Sequence, residues 1–194
     1  MAGLTLLGEN KVQEAEAKAS LLPGASWHLI GPLQSNKARR AVELFDVIES
    51  VDSVDLARRL DRFAGPGGRG DGSLGAAGRL GVYLQVNVDR DESKSGFLPE
   101  TLEAELPTLA DLPHLRLLGL MTVGRLVGTP EAARPTFACL RELSERLRGR
   151  VEGFGAGLSM GMTGDYPIAV EEGATVVRVG RALFGLRPEG AVGR

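Results

Sequence analysis

Seven short apolar runs, each separated from the next by a longer polar or amphipathic stretch, constrain this chain more than any other feature. The runs are Leu4–Leu7, Trp27–Ile30, Val47–Val51, Leu80–Asn87, Leu117–Val123, Ala156–Ser159 and Thr175–Val179. Little polar alternation interrupts them, as expected of strands covered on both faces of a parallel sheet. Helical spacing fills the intervals near Val12–Ser20, Ser35–Glu43, Ser53–Ala64, Pro99–Ala110, Ala132–Arg148 and Tyr166–Glu172. Strands alternating with helices predict an α/β fold built from right-handed βα units. The number seven is awkward, because a closed (β/α)8 barrel of the TIM type needs eight strands and a doubly wound sheet commonly carries fewer.

A chain of 194 residues suits one domain, residues 1–194, with enough length to bury a core. The stretch 65–81, GPGGRGDGSLGAAGRLG, has no periodicity and reads as a flexible glycine-rich surface loop. Its Gly-x-Gly patterns do not follow a strand and open a helix, so they do not make a dinucleotide fingerprint. A formal net charge of −2 gives no electrostatic reason for a nucleic-acid or membrane partner. No apolar run approaches the ~18 residues of a membrane span, and Met1–Glu9 lacks the parts of a signal peptide. One cysteine, Cys139, forms no internal disulfide and reads as a helix-core residue. These features point to the cytoplasm.

In α/β barrels the chemistry sits at the C-terminal ends of the strands. Polar clusters follow the apolar runs there: Gly8-Glu9-Asn10, His28 with Gly31, Asn87, Met121-Thr122, Ser159–Thr163 and Gly180-Arg181. The last two are the most specific. In LSMGMTGDYPIAVEEG, Ser159 and Thr163 offer hydroxyl donors, and Gly161 lets backbone approach closely. VRVGRALFG adds Gly180 and the Arg181 N–H. Hydroxyl and backbone donors converging after the last two strands make a cup for a phosphate dianion. Thr163 or Asp165 as a helix cap is the plainer alternative. His28, inside an apolar run, reads first as a satisfied core or rim histidine. No metal-ligand spacing and no Ser–His–Asp order is visible.

These clusters carry a family resemblance. GENKVQEA, WHLIGPLQSNK, QVNVDRDESKSGF, LRLLGLMTV and LSMGMTGDYPIAVEEGATVVRVGRALFG resemble, in order, the signature blocks of the YggS/PROSC pyridoxal phosphate homeostasis family. The resemblance covers nearly the whole chain apart from the glycine-rich loop. It implies an alanine racemase N-terminal-domain-like barrel that binds pyridoxal 5′-phosphate (PLP) and holds, buffers or delivers it without catalysis. It also implies that Ser159, Met160, Gly161, Met162 and Thr163 line the phosphate, with Gly180 and Arg181 completing the cup. Asn10, His28 and Met121 would then stand around the ring or rim. Lys37 and Lys94 become candidates for a part in cofactor transfer or loop structure.

The chain departs from the family pattern at its start. Members begin with one more βα unit, whose strand carries the Schiff-base lysine in a block like VSKTKP. This sequence opens at the second unit, which accounts for seven strands instead of eight. Removing a strand is expected to leave a gap of roughly 10 Å flanked by two exposed edges. Lys11, Lys18, Lys37 and Lys94 are the four lysines, and none ends an apolar strand. The expectation is therefore non-covalent, phosphate-anchored PLP, with PLP-dependent apoenzymes as candidate partners. The competing readings are a PLP-dependent racemase or decarboxylase on the same barrel, a sugar-phosphate barrel enzyme and a protein-interaction module.

Overall fold

The computed structural model describes residues 3–65, 78–125 and 127–185. The strands are β1 (Leu6–Glu9), β2 (Ser26–Leu29), β3 (Val47–Val51), β4 (Leu80–Gln85), β5 (Leu115–Met121), β6 (Gly157–Met162) and β7 (Val176–Arg178). The helices are α1 (Val12–Ala19), α2 (Ala38–Leu44), α3 (Val54–Ala64), α4 (Pro99–Ala110), α5 (Arg134–Arg148), α6 (Tyr166–Glu171) and α7 (Arg181–Phe184). All seven predicted strands are present, and all form one sheet in the order β1-β2-β3-β4-β5-β6-β7 with every pairing parallel. Sequential order with parallel pairing is barrel topology, and within the described residues β1 and β7 are its two edges. The twelve loop residues 66–77, most of the predicted glycine-rich stretch, lie outside the described residues.

Each strand divides its side chains between two layers. Leu29, Ile48, Val82, Leu84, Leu117, Leu120, Leu158 and Met160 pack outward against apolar helix faces such as Leu56, Leu60, Leu102, Leu106, Phe137 and Leu140. Val47, Tyr83 and Met121, with Leu118, Val123 and Val176, form a second, smaller cluster inside the barrel. The helices have local reasons to form. In α3, Ser53 caps the first turn by accepting the Leu56 N–H at 3.3 Å, and Leu56, Ala57, Leu60 and Ala64 make one buried face. In α5 the buried face is Phe137, Leu140, Leu143, Ser144 and Leu147. Cys139 falls about 200° around the helix from Phe137 and is exposed, which corrects its reading as a core residue.

The pairing of β4 with β5 is irregular. Val82 stands opposite Leu117 but Tyr83 stands opposite Gly119, so Leu118 is an extra residue in the ladder. Gly119 sits at this bulge with φ +147°, and its α-carbon lies hard against β6. Gly157 on β6 is small for a related reason. A Cβ there would meet the Tyr83 ring and hydroxyl at 2.7 Å.

Tyr83 makes the alkaline limit of the fold testable. Burial pushes its phenol above the ordinary value, with the Glu49 charge adding and a hydrogen bond with Thr175 opposing. A raised folded-state pKa means the unfolded chain gives up the proton first. Stability is thus retained below about pH 10, the free tyrosine value, and lost as pH rises beyond it. Urea denaturation across pH 8–11 is expected to show this loss in the wild type and a flatter profile in Tyr83→Phe.

Candidate functional site

The C-terminal ends of the strands meet around a polar interior that the outer residues enclose. Glu49, in the middle of β3, is fully buried. The Nδ1–H of His28 on β2 donates to its Oε1 at 2.6 Å, the tautomer that a carboxylate acceptor requires. Its Oε2 accepts from the Ser159 hydroxyl on β6 at 2.5 Å. Ser159 accepts in turn from Nη1 of Arg178 on β7 at 2.7 Å, and Arg178 Nη2 donates to the Thr122 carbonyl just past β5 at 2.7 Å. The Thr122 hydroxyl donates to the Val86 carbonyl at 2.8 Å, closing the chain of bonds toward β4. Enclosure pushes the Arg178 guanidinium below its ordinary range, while the negative charges of Glu49 and Asp165 oppose that shift.

Serine, histidine and a carboxylate are thus assembled here, but in the wrong order for nucleophilic catalysis. The carboxylate stands between the other two, and the histidine does not take the serine proton.

The rim is a turn and a facing loop. β6 runs three residues further than its apolar run, to Met162. The turn after it closes through Asp165, which accepts the Met162 N–H at 2.6 Å and donates its own N–H to the Met162 carbonyl at 3.1 Å. Neither bond uses the N–H groups of Thr163 and Gly164 between them. Gly161 has φ +89°, and a Cβ would fall 2.5 Å from Ala169 Cβ and 3.0 Å from Tyr166 Cα. Only glycine lets β6 run this close to α6 and place the turn beside β7. Met162 is registered with Arg178, so the turn lies next to Gly180 and Arg181, the residues that open α7. Around Gly164 and Gly180 a Cβ would meet nothing within 4 Å, so space adjoins both backbones.

The structure therefore separates the predicted site residues into groups. Met162, Thr163, Gly180 and Arg181 gather at the rim beside β7. His28, Met121 and Ser159 lie buried inside the barrel. Asn10 is exposed just past β1, and Gly31 allows this approach, since a Cβ there would overlap the Asn10 carbonyl. Met160 is fully buried in the helix-facing layer, so only its backbone can face the rim. Two interior residues escaped the sequence reading, Glu49 and Arg178. The signal was present: each is a charge inside an apolar run, in VIESV and VVRVG.

A loop anchored on the same mouth follows β4. The Asn87 side chain holds the carbonyls of Asp91 and Lys94 and accepts the Asp91 N–H. Lys94 Nζ donates to the carbonyls of Val123 at 3.1 Å and Gly124 at 2.6 Å. Of the other lysines, Lys11 just before α1 and Lys18 on it are exposed and paired with Glu14 and Glu9, and Lys37 ends a single 3₁₀ turn between β2 and α2. Among the described residues no group of three His, Cys, Asp or Glu side chains could share a metal ion, and no helix is long and apolar enough to cross a membrane.

The family described as alanine racemase, N-terminal domain, matches residues 1–188. A pyridoxal phosphate homeostasis protein of Pseudomonas aeruginosa is 43% identical over 192 residues, which cover 98% of this chain and 78% of that protein. Among solved structures, PipY of Synechococcus elongatus is 46% identical. It has a TM-score of 0.85 without PLP and 0.83 with PLP bound, covering 95% of this chain and 83% of PipY. Alanine racemase of Clostridium difficile, at 18% identity and a TM-score of 0.68, shares the fold over 95% of this chain and 45% of its own. The barrel topology and these likenesses agree: the chain belongs to the YggS/PROSC family of pyridoxal phosphate homeostasis proteins, within the alanine racemase N-terminal domain family.

Proposed function

We propose that this protein binds PLP at the C-terminal end of its barrel and holds or hands over the cofactor rather than reacting with it. The observation that carries the reading is the rim itself. Two backbone segments, Met162–Gly164 and Gly180-Arg181, stand side by side with open space at Gly164 and Gly180, and the Arg178 cation ends β7 next to Met162. Backbone N–H groups, the Thr163 hydroxyl and a fixed positive charge are the donors a phosphate dianion requires. Gly161 and the Met160 backbone shape the approach, and Ser159 supports the site from behind through Arg178. Asn10, His28 and Met121 are assigned to the ring and rim. PLP, once bound, offers an electron sink to amino-acid chemistry. The protein's own part is to grip the phosphate and shelter the ring.

A carrier role is supported by the commitment of the interior polar groups. His28 Nδ1 is bonded to Glu49, and the Tyr83 phenol is engaged with Thr175, which ties both to the scaffold rather than to proton transfer on a substrate. Relatives bear the name of homeostasis proteins. PLP-dependent apoenzymes are the proposed recipients, and a reducing cytoplasm suits a lone exposed thiol.

A PLP titration of the full chain tests the reading. Thr163→Val is expected to weaken retention by about tenfold or more, since a hydrogen bond to a charged partner contributes about 1.5–3 kcal/mol. Borohydride treatment followed by peptide mapping is expected to label no lysine. Unchanged affinity in the variant would discard the phosphate assignment, and PLP trapped on Lys37 or Lys94 would discard non-covalent binding. Turnover of an amino acid by racemisation or decarboxylation would replace the carrier with an enzyme.

A further inference from the structure

Glu49 is the interior residue that the phosphate grip leaves unexplained. A carboxylate in mid-strand, with no exposed surface, is costly to bury unless partners satisfy it. Both its oxygens are engaged, one by His28 and the other by Ser159. The arrangement is nevertheless indirect where a direct one would stabilise more simply. Arg178 is the nearby cation, yet its guanidinium donates to the Ser159 hydroxyl and the Thr122 carbonyl, so the hydroxyl relays the carboxylate to the guanidinium.

This indirect geometry has a consequence for the site. A guanidinium has five N–H donors, and a side-on carboxylate pair would take two of them on one edge. Here Nη1 and Nη2 are each fixed by a different neutral oxygen, which sets the plane of the group while leaving other donors unspent. The same guanidinium interacts electrostatically with Asp165, the residue that closes the Met162 turn. Glu49 on β3 is thereby connected to the β6–β7 rim through Ser159 and Arg178.

We propose that Glu49 is a positioning residue for bound PLP, acting through Ser159 to hold the Arg178 guanidinium in one orientation beside the Met162–Asp165 turn. This role rests on the assignment of PLP to that rim. The carboxylate does not touch the ligand. It determines how firmly the cation beneath the ligand is held, and so how long the ligand stays.

The test compares the wild-type chain with Glu49→Gln and Glu49→Asp. PLP is the probe, read by its dissociation rate and by the absorbance maximum of the bound form, with urea stability measured alongside. Glu49→Gln is expected to release PLP about tenfold faster and to shift the absorbance, because loss of a buried partner acts on dissociation. Glu49→Asp, which keeps the charge, is expected to recover part of both. A folded Glu49→Gln with wild-type dissociation and spectrum overturns the positioning role and leaves PLP binding standing. If Glu49→Gln does not fold, Glu49→Asp decides: wild-type dissociation despite the shortened reach overturns the role, and faster release supports it. A wild type that does not retain PLP overturns the binding assignment first, and this role with it.

Discussion

Replacing Arg178 by methionine is expected to destabilise the fold by about 3 kcal/mol and to abolish measurable PLP retention. Both effects follow from what the guanidinium satisfies. Its removal leaves the Thr122 carbonyl and a lone pair of Ser159 unbonded, and leaves the buried Glu49 without the charge that attracts it. Methionine fills much of the volume, so lost packing contributes little and the polar deficit dominates. Urea denaturation checks the first effect and a PLP titration the second. A double-mutant cycle with Glu49→Gln adds a sharper criterion: once the carboxylate is neutral, losing the cation should cost clearly less. Strict additivity of the two losses would show that they do not act as one network.

Gly119→Ala is expected to be more damaging still, on the order of 4 kcal/mol or beyond, with failure to accumulate as folded protein. The new Cβ would lie 1.9 Å from the Gly157 carbonyl oxygen and 2.6 Å from its carbon, where no atom can sit. Side-chain adjustment gives no relief, because the obstacle is the backbone of the paired strand. The backbone conformation, φ +147°, is a second obstacle to any L side chain. Gly149→Ala serves as the control, since a Cβ there meets only the Arg146 carbonyl at 3.5 Å at the end of α5. Thermal denaturation of the soluble fraction separates the two variants, and similar melting behaviour would show that β5 and β6 can move apart.

Much of this architecture is legible in the sequence because it depends on local pattern. Apolar runs bounded by turns locate all seven strands, and helical spacing locates the six longer helices. Their edges are less legible. β6 continues to Met162 because Gly161 can take a positive φ against α6, which no hydrophobic pattern signals. Cys139 illustrates a phase error, since its neighbours are apolar but its direction on α5 is not theirs. Thr163, Gly180 and Arg181 follow strands and Met162 ends one, so their placement at the rim could be read from position alone. Glu49 and Arg178 could not, because their significance lies in contacts across the barrel. Glu49 and Ser159 stand 110 residues apart in the chain and meet only when β3 and β6 curve to face each other. Short-range periodicity shows a charge in an apolar strand and nothing of its partner.

The bulge at Leu118-Gly119 acts on β5 as a frameshift acts on a message. Before it, the odd-numbered Leu115 and Leu117 belong to the helix-facing layer and the even-numbered Leu118 to the interior. After it, Leu120 faces the helices, while Met121 and Val123 face inward. One surplus residue has exchanged the meaning of odd and even. Anyone assigning faces along this strand must therefore count the two sides of the glycine separately. A single continuous count would deliver the right side chains to the wrong side of the wall.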